Sequence, residues 1–308
     1  MFRSLLVPLD GSTFSEHSLP FAGKIARATG GSLHLAHVHV PYEPDQLLAN
    51  TQFQFEGVNM AEYDAHHRER EEAYLSGLAD ELGREGTPAD AKILDGREVA
   101  QELAAYADEV HTDIIFLTTH GYSGADRLWL GSVADEMIRR TELPMFVIHP
   151  DGDHKLPDGV FSVRHILIPL DGSKLAEGVL GPATELARAI GARITLLNVV
   201  PMPELSGWPV YAPLRDKPVP KLDGAIAYLE GVAGELRLEG REVKTHVMRA
   251  PHVATAITRV ADELDADVIA LATHGYGGLK RTLLGSVADK LLRSSALPLL
   301  VMRPPSVA

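Results

Sequence analysis

The chain has 308 residues, 45% of them hydrophobic, with 42 acidic against 29 basic side chains and a formal net charge of −13. That length predicts two domains of about 150 residues each, and the acidic balance argues against nucleic acid as a partner. The absence of cysteine excludes disulfides, thiolate catalysis and Cys-ligated zinc. No signal-peptide pattern and no apolar run near ~18 residues is present, so the expectation is a cytoplasmic protein without membrane contact.

Residues 5–9 form a short apolar run, as in a strand covered on both faces. Asp10-Gly11-Ser12 predicts a turn into a helix over 15–29, which Gly30-Gly31 ends. A second strand is expected over 32–40. After a Pro-containing connection, 61–83 reads as a long charged helix with Glu and Arg on its wet face. His66 and His67 are expected on that solvated face. A third strand over 89–94, a helix over 99–108 and a fourth strand over 114–117 follow. A Gly-rich segment then leads into a helix ending near Arg140 and a fifth strand over 144–148. Alternating strands and helices predict right-handed crossovers and an α/β, doubly wound, Rossmann-like parallel sheet of five strands with helices on both faces. Such sheets bind ligands at the carboxyl ends of strands, near the switch in strand order. If the first and fourth strands are neighbours, Asp10-Gly11-Ser12 and the Gly-rich segment face one crevice.

The whole plan occurs twice. Residues 2–12 match 163–173 at seven of eleven positions, sharing Pro-Leu-Asp-Gly-Ser, and 113–148 match 267–302 without gaps at nineteen of thirty-six. Unrelated sequences would agree at roughly one position in seventeen, so the chain is an internal duplication. The division expected is a first domain over 1–150, a linker over 151–163 and a second domain over 164–308. Each fifth strand would be a sheet edge in need of cover, which predicts an internal pseudo-dimer, with a homodimer of the whole chain as a further expectation.

The chemistry concentrates in the Gly-rich segment from Thr118 to Ser132. Gly121, Gly124 and Gly131 remove side chains where a backbone turns tightly and approaches a ligand. Ser132 stands where the following helix should begin, and free N–H groups there attract anions. The outline is a phosphate cradle, repeated at Gly275, Gly285 and Ser286. Arg127 and Arg281 stand at equivalent positions in the segment, where a guanidinium could fork onto a phosphate or pair with a surface acid. Asp10 and Asp171 could accept a hydrogen bond from a ligand hydroxyl or amino group, or bond their own turn backbone. His120 and His274 precede the glycine in both copies; backbone bonding is the commoner use of such a residue, and no catalytic residue is assigned. His37 and His39 share one strand face and His34 the other. The second copy has Thr195, Asn198 and Val200 there, so no metal site is assigned. No P-loop motif and no Gly-x-Ser-x-Gly elbow occurs. The clustered acids of a receiver-type signalling domain are missing as well.

These residues resemble the universal stress protein family in its tandem two-domain form, over nearly the whole chain. The family pattern Gly-x-x-Gly, nine residues, then Gly-Ser or Gly-Thr is matched by Gly121 with Gly131-Ser132 and by Gly275 with Gly285-Ser286. Thr118 and Ala272 replace its first glycine. The resemblance implies that Asp10 and Asp171 meet adenosine, that Val38 and Val199 line adenine, and that Gly96 and, less closely, Ala250 back the pocket. His120, Arg127, His274 and Arg281 are assigned to the same nucleotide site from their places in the Gly-rich segment. The implied function is a stress-response regulator that binds ATP, with Mg2+ accompanying the phosphates, acts on an unidentified protein partner and turns over little or no nucleotide. A non-binding adaptor and a slow nucleotide hydrolase are the alternatives.

Overall fold

The computed structural model describes residues 2–41, 59–119, 130–149, 163–202, 222–273 and 284–304. The candidate residues His120, Gly121, Gly124, Arg127, His274, Gly275 and Arg281 lie outside these residues. Chain contacts divide the protein into two compact units, Met1–Leu143 and Pro144–Ala308.

In the first unit the strands are β1 (Ser4–Pro8), β2 (Ser32–His39), β3 (Ala89–Asp95) and β4 (Ile114–Thr118). They lie in the order β3-β2-β1-β4 and pair in parallel. β1 and β4 are neighbours, with Leu5 opposite Ile114 and Leu6 opposite Ile115. β1 and β4 are fully buried over Leu5–Val7 and Ile114–Phe116, as expected of strands covered on both faces. The helices are α1 (Thr13–Glu16), α2 (Leu19–Thr29), α3 (Met60–Arg84), α4 (Val99–Glu109) and α5 (Ser132–Arg140).

The helix expected over 15–29 is therefore broken in two. Pro20 cannot donate to the carbonyl four residues back, and its ring crowds that carbonyl, which belongs to Glu16, the last residue of α1. Ser18 Oγ instead donates to the Ser15 carbonyl at 2.7 Å across the break. Gly30, at φ +66, closes α2 in the left-handed conformation that glycine adopts without strain.

The second unit opens with β5 (Met145–Ile148) and continues through β6 (His165–Pro169), β7 (Arg193–Pro201), β8 (Val243–Ala250), β9 (Val268–Ala272) and β10 (Leu299–Met302). The last five form a parallel sheet in the order β8-β7-β6-β9-β10, the full pattern expected of one copy. β5 adds to it antiparallel, with Phe146 opposite Leu300. Its helices are α6 (Lys174–Glu177), α7 (Leu180–Ile190), α8 (Leu222–Leu238), α9 (Val253–Glu263) and α10 (Ser286–Ser294). The α6–α7 break stands at the same place in the second copy, with Gly181 at the position of Pro20 and Pro182 one residue further on. Among the described residues no helix is long and apolar enough to cross a membrane.

Two polar ties recur in both copies. Tyr74 of α3 donates its hydroxyl to Glu16 at 2.8 Å, and Tyr228 of α8 donates to Glu177 at 3.1 Å. Burial and the neighbouring carboxylate push both phenols well above the ordinary tyrosine range. The Asp113 carboxylate, just before β4, accepts the N–H groups of Arg3 and Ser4 at 2.6 and 3.1 Å, and Asp267 accepts those of Arg164 and His165 at 2.7 and 2.9 Å. Each carboxylate fixes the start of one central strand against its neighbour. Asp113→Ala removes two charge-assisted bonds at a partly exposed site and is expected to cost about 1–2 kcal/mol, read as a lower urea midpoint at unchanged slope.

His165, at the start of β6, is buried and bonds Thr195 Oγ1 at 2.8 Å through Nε2. Burial, then the Arg193 guanidinium, lowers its pKa below the usual value, against the raising pull of the Leu264 and Asp265 carbonyls and Asp267. The unfolded chain thus binds a proton more readily than the fold does, so the contribution is complete above about pH 6.5 and is lost as pH falls below it. His165→Ser, the residue of the first copy at this place, should flatten the fall in urea midpoint between neutral and mildly acid pH. An unchanged pH slope would refute this role.

Candidate nucleotide-binding site

Because β1 and β4 pair in register, their carboxyl ends open into the same space. A cavity of about 270 Å³ lies there. Val38, Val99, Leu103 and Leu117 supply an apolar wall, while Asp10, Thr118, Thr119, Gly131 and Ser132 supply polar lining. An apolar slot with a few convergent polar groups at a topological switch point is the usual form of a small-ligand site in such sheets.

The Asp10 turn is built from its own residues. Its Oδ1 accepts the Ser12 N–H at 3.0 Å and the Ser12 hydroxyl at 2.5 Å. Gly11 takes φ +80, where a side chain would be strained. Ser12 Oγ in turn accepts the Ser15 N–H at 3.2 Å and caps α1. Asp171, Gly172 at φ +90 and Ser173 repeat this arrangement. The carboxylate that lines the cavity is therefore also the one that holds the turn.

A tie not foreseen from the sequence steadies the same corner. His37 Nδ1 meets the Leu9 carbonyl at 2.8 Å, and since a carbonyl only accepts, Nδ1 carries the proton. At the matching place Asn198 Nδ2 donates to the Leu170 carbonyl at 2.8 Å. Both copies thus use a side-chain N–H from the second strand to hold the residue before the aspartate. The duplication offset pairs His37 with Asn198, and this was the signal available.

The helix after the Gly-rich segment starts at Ser132, where the sequence places it. Gly131, not Ser132, is the cap of α5, and Ser132 is its first helical residue; Gly285 and Ser286 stand likewise on α10. Neither cap supplies a side-chain hydrogen bond, so the first-turn amides lack the partner that Ser12 and Ser173 give elsewhere. Ser132 and Ser286 are exposed. The Gly131 N–H donates to the Thr119 carbonyl at 2.6 Å, and the Gly285 N–H to that of Thr273 at 2.8 Å. A Cβ on Gly131 would fall 2.7 Å from the Thr119 oxygen, so this glycine is required by the close approach of two backbones.

Of the other predicted residues, Val38 is buried at the cavity wall and Val199 half-buried at the equivalent place on β7. Ala250 is buried at the end of β8. Gly96 is not part of the cavity lining; its N–H bonds the His39 carbonyl at 3.2 Å, and Glu102 packs over its α-carbon. Thr118 lines the cavity, so the branched side chain at the first motif position borders the ligand space.

The family model described as the universal stress protein family matches residues 1–149 and again 162–303. A universal stress protein of Mycobacterium tuberculosis is 26% identical over 244 residues, 77% of this chain and 78% of that protein. One from Mycolicibacterium smegmatis is 25% identical over 195 residues, 62% of each chain. Among solved structures, a universal stress protein from Archaeoglobus fulgidus superposes with a TM-score of 0.68 at 19% identity, covering 98% of this chain and 99% of its own. Gly131→Ala, which pushes a methyl into the Thr119 carbonyl, is expected to lower stability by about 1–3 kcal/mol. Calorimetry checks this, and an unchanged melting temperature would show that the segment relaxes freely.

Proposed function

The chain belongs to the universal stress protein family in its tandem form, and on that premise we propose that it is a regulatory protein that binds adenine nucleotide at the carboxyl ends of its sheet strands. The observation that carries this reading is the juxtaposition of an apolar slot with a helix start whose amides lack a side-chain cap. The slot suits a flat base against Val38, Val99 and Leu103. The amides of Ser132 and its neighbours suit a phosphate, since a helix N-terminus carries about half a positive charge. Asp10 offers a carboxylate to the ribose or the adenine amino group. In the second copy Asp171, Val199, Gly285 and Ser286 take these roles.

ATP is the ligand we propose, with Mg2+ bound to its phosphates rather than to a dedicated cage. His120, Gly121, Arg127, His274, Gly275 and Arg281 are assigned to the same sites by the motif alone. Binding changes the exposed surface that a partner protein reads, and no residue here is assigned to hydrolysis. A second reading, a copy that acts through protein contacts without nucleotide, is favoured for the first copy by Thr118 at the cavity edge.

Acid extraction of freshly purified protein, followed by ion-exchange chromatography, tests the proposal. The expected result is adenine nucleotide at one equivalent per working site. A Gly131→Trp/Gly285→Trp double variant should lose it, and Gly285→Trp alone should lose more than Gly131→Trp alone. An empty extract together with a flat millimolar ATP titration would overturn nucleotide binding in favour of the adaptor reading.

A further inference from the structure

We propose that the first copy carries a zinc-class metal site built from His39, His67 and Glu71, on the face of β2 opposite the candidate nucleotide cavity. Side chains alternate along a strand, so Val38 faces the cavity while His37 and His39 face α3. On α3, His67 and Glu71 are one turn apart, and Asp64 precedes His67 by three, so all three lie on one helix face. Donor atoms of His39, His67 and Glu71 lie within 4.8 Å of one another.

The individual separations already approach those of a metal's coordination sphere. His39 Nδ1 is 2.7 Å from Glu71 Oε2, His67 Nδ1 is 2.8 Å from Glu71 Oε1, and His39 Nε2 is 3.3 Å from Asp64 Oδ2. Tetrahedral zinc with bonds of ~2.0–2.1 Å sets its ligands about 3.4 Å apart. His37 Nδ1–H is spent on the Leu9 carbonyl, and its Nε2 lies 3.2 Å from Glu71 Oε1 at the edge of the cluster.

A hydrogen-bonded network alone accounts for the cluster incompletely. The His39 side chain is 3% exposed, and its Nε2 is buried without a hydrogen bond among the described residues, although the Asp64 carboxylate is near. Hydrogen bonds among these side chains leave that ring nitrogen unsatisfied, and a cation held in the cluster beside Asp64 would satisfy it. Two imidazoles and one or two carboxylates suit Zn2+ best among abundant divalent ions, and no thiolate is needed. The site belongs to the first copy alone. Counting back from the matching Tyr74 and Tyr228, the second copy has Lys221 and Ala225 for His67 and Glu71, and Val200 for His39.

The test uses the full chain, stripped with a chelator, desalted, loaded with ZnCl2 and passed through gel filtration before elemental analysis. One zinc per chain is expected, with affinity by calorimetry at least about tenfold weaker in His67→Ala and in Glu71→Gln. The His67 side chain is about one-third exposed, and circular dichroism verifies that His67→Ala keeps the fold. His66→Ala, at an exposed neighbouring residue, controls for loose surface histidines and should bind as the parent does. Co2+ in place of zinc should show the strong visible absorption of a four-coordinate site, lost in His67→Ala. No retained zinc in the parent chain, or equal retention in His67→Ala and Glu71→Gln, would overturn the proposal. Nucleotide content is measured in parallel and should not change in His67→Ala, because the two sites lie on opposite faces of β2.

Discussion

The parallel pairing of β1 with β4 is the constraint on which the candidate site of the first copy depends. More than a hundred residues separate these strands in sequence, and the chain returns across β1 only after β2 and β3 have been laid on its other side. The return is fixed by burial, since both strands are apolar on both faces and have no other place to go. It is also fixed by one carboxylate, Asp113, which holds the first backbone amides of β1 beside the start of β4. Once the strand starts are level, the register carries Asp10 and Thr118 to the same end of the sheet. The cavity is a consequence of that register, not of any one residue lining it.

The two copies show which parts of the frame are structural. Each has the Asp-Gly-Ser turn, a side-chain N–H on the carbonyl before the aspartate, a tyrosine clasped to a glutamate and a glycine amide on the carbonyl after the fourth strand. These ties are kept even where the side chain differs, as with His37 and Asn198. What varies between copies is the filling: Thr118 against Ala272, His39 against Val200, Glu71 against Ala225 and Ser4 against His165. A shared frame with unequal filling lets one chain hold two sites of different chemistry.

The electrostatics of the candidate site are local. A protein with a net charge of −13 repels an anion at long range, but the field a few ångströms from a helix N-terminus is set by the nearest amides. At α5 and α10 these amides lie beside a glycine cap that gives them no side-chain oxygen. At α1 and α6 the corresponding amides are taken by serine hydroxyls. The choice of glycine or serine at a helix start thus separates a closed structural turn from an open anion-facing one.

The sequence alone determined the duplication, the alternation of strands and helices, and the residues of the Asp-Gly-Ser turns. Each of these rests on local periodicity or on an offset that a single chain displays. Element ends came out close as well, as with α3 and β3. The exception is the helix expected over 15–29, which is divided ahead of Pro20. Tertiary structure alone decided what meets across long separations. That β1 lies beside β4, that Gly131 must be glycine because Thr119 is behind it, and that His67 turns inward to His39 and Glu71 all depend on packing. A strand's period tells which histidines share a face, but only the helix laid on that face tells what they see. His67 sits in a run of charges and reads as solvated until α3 is docked on β2. Docking is set by the whole buried core, and no short window of sequence contains it.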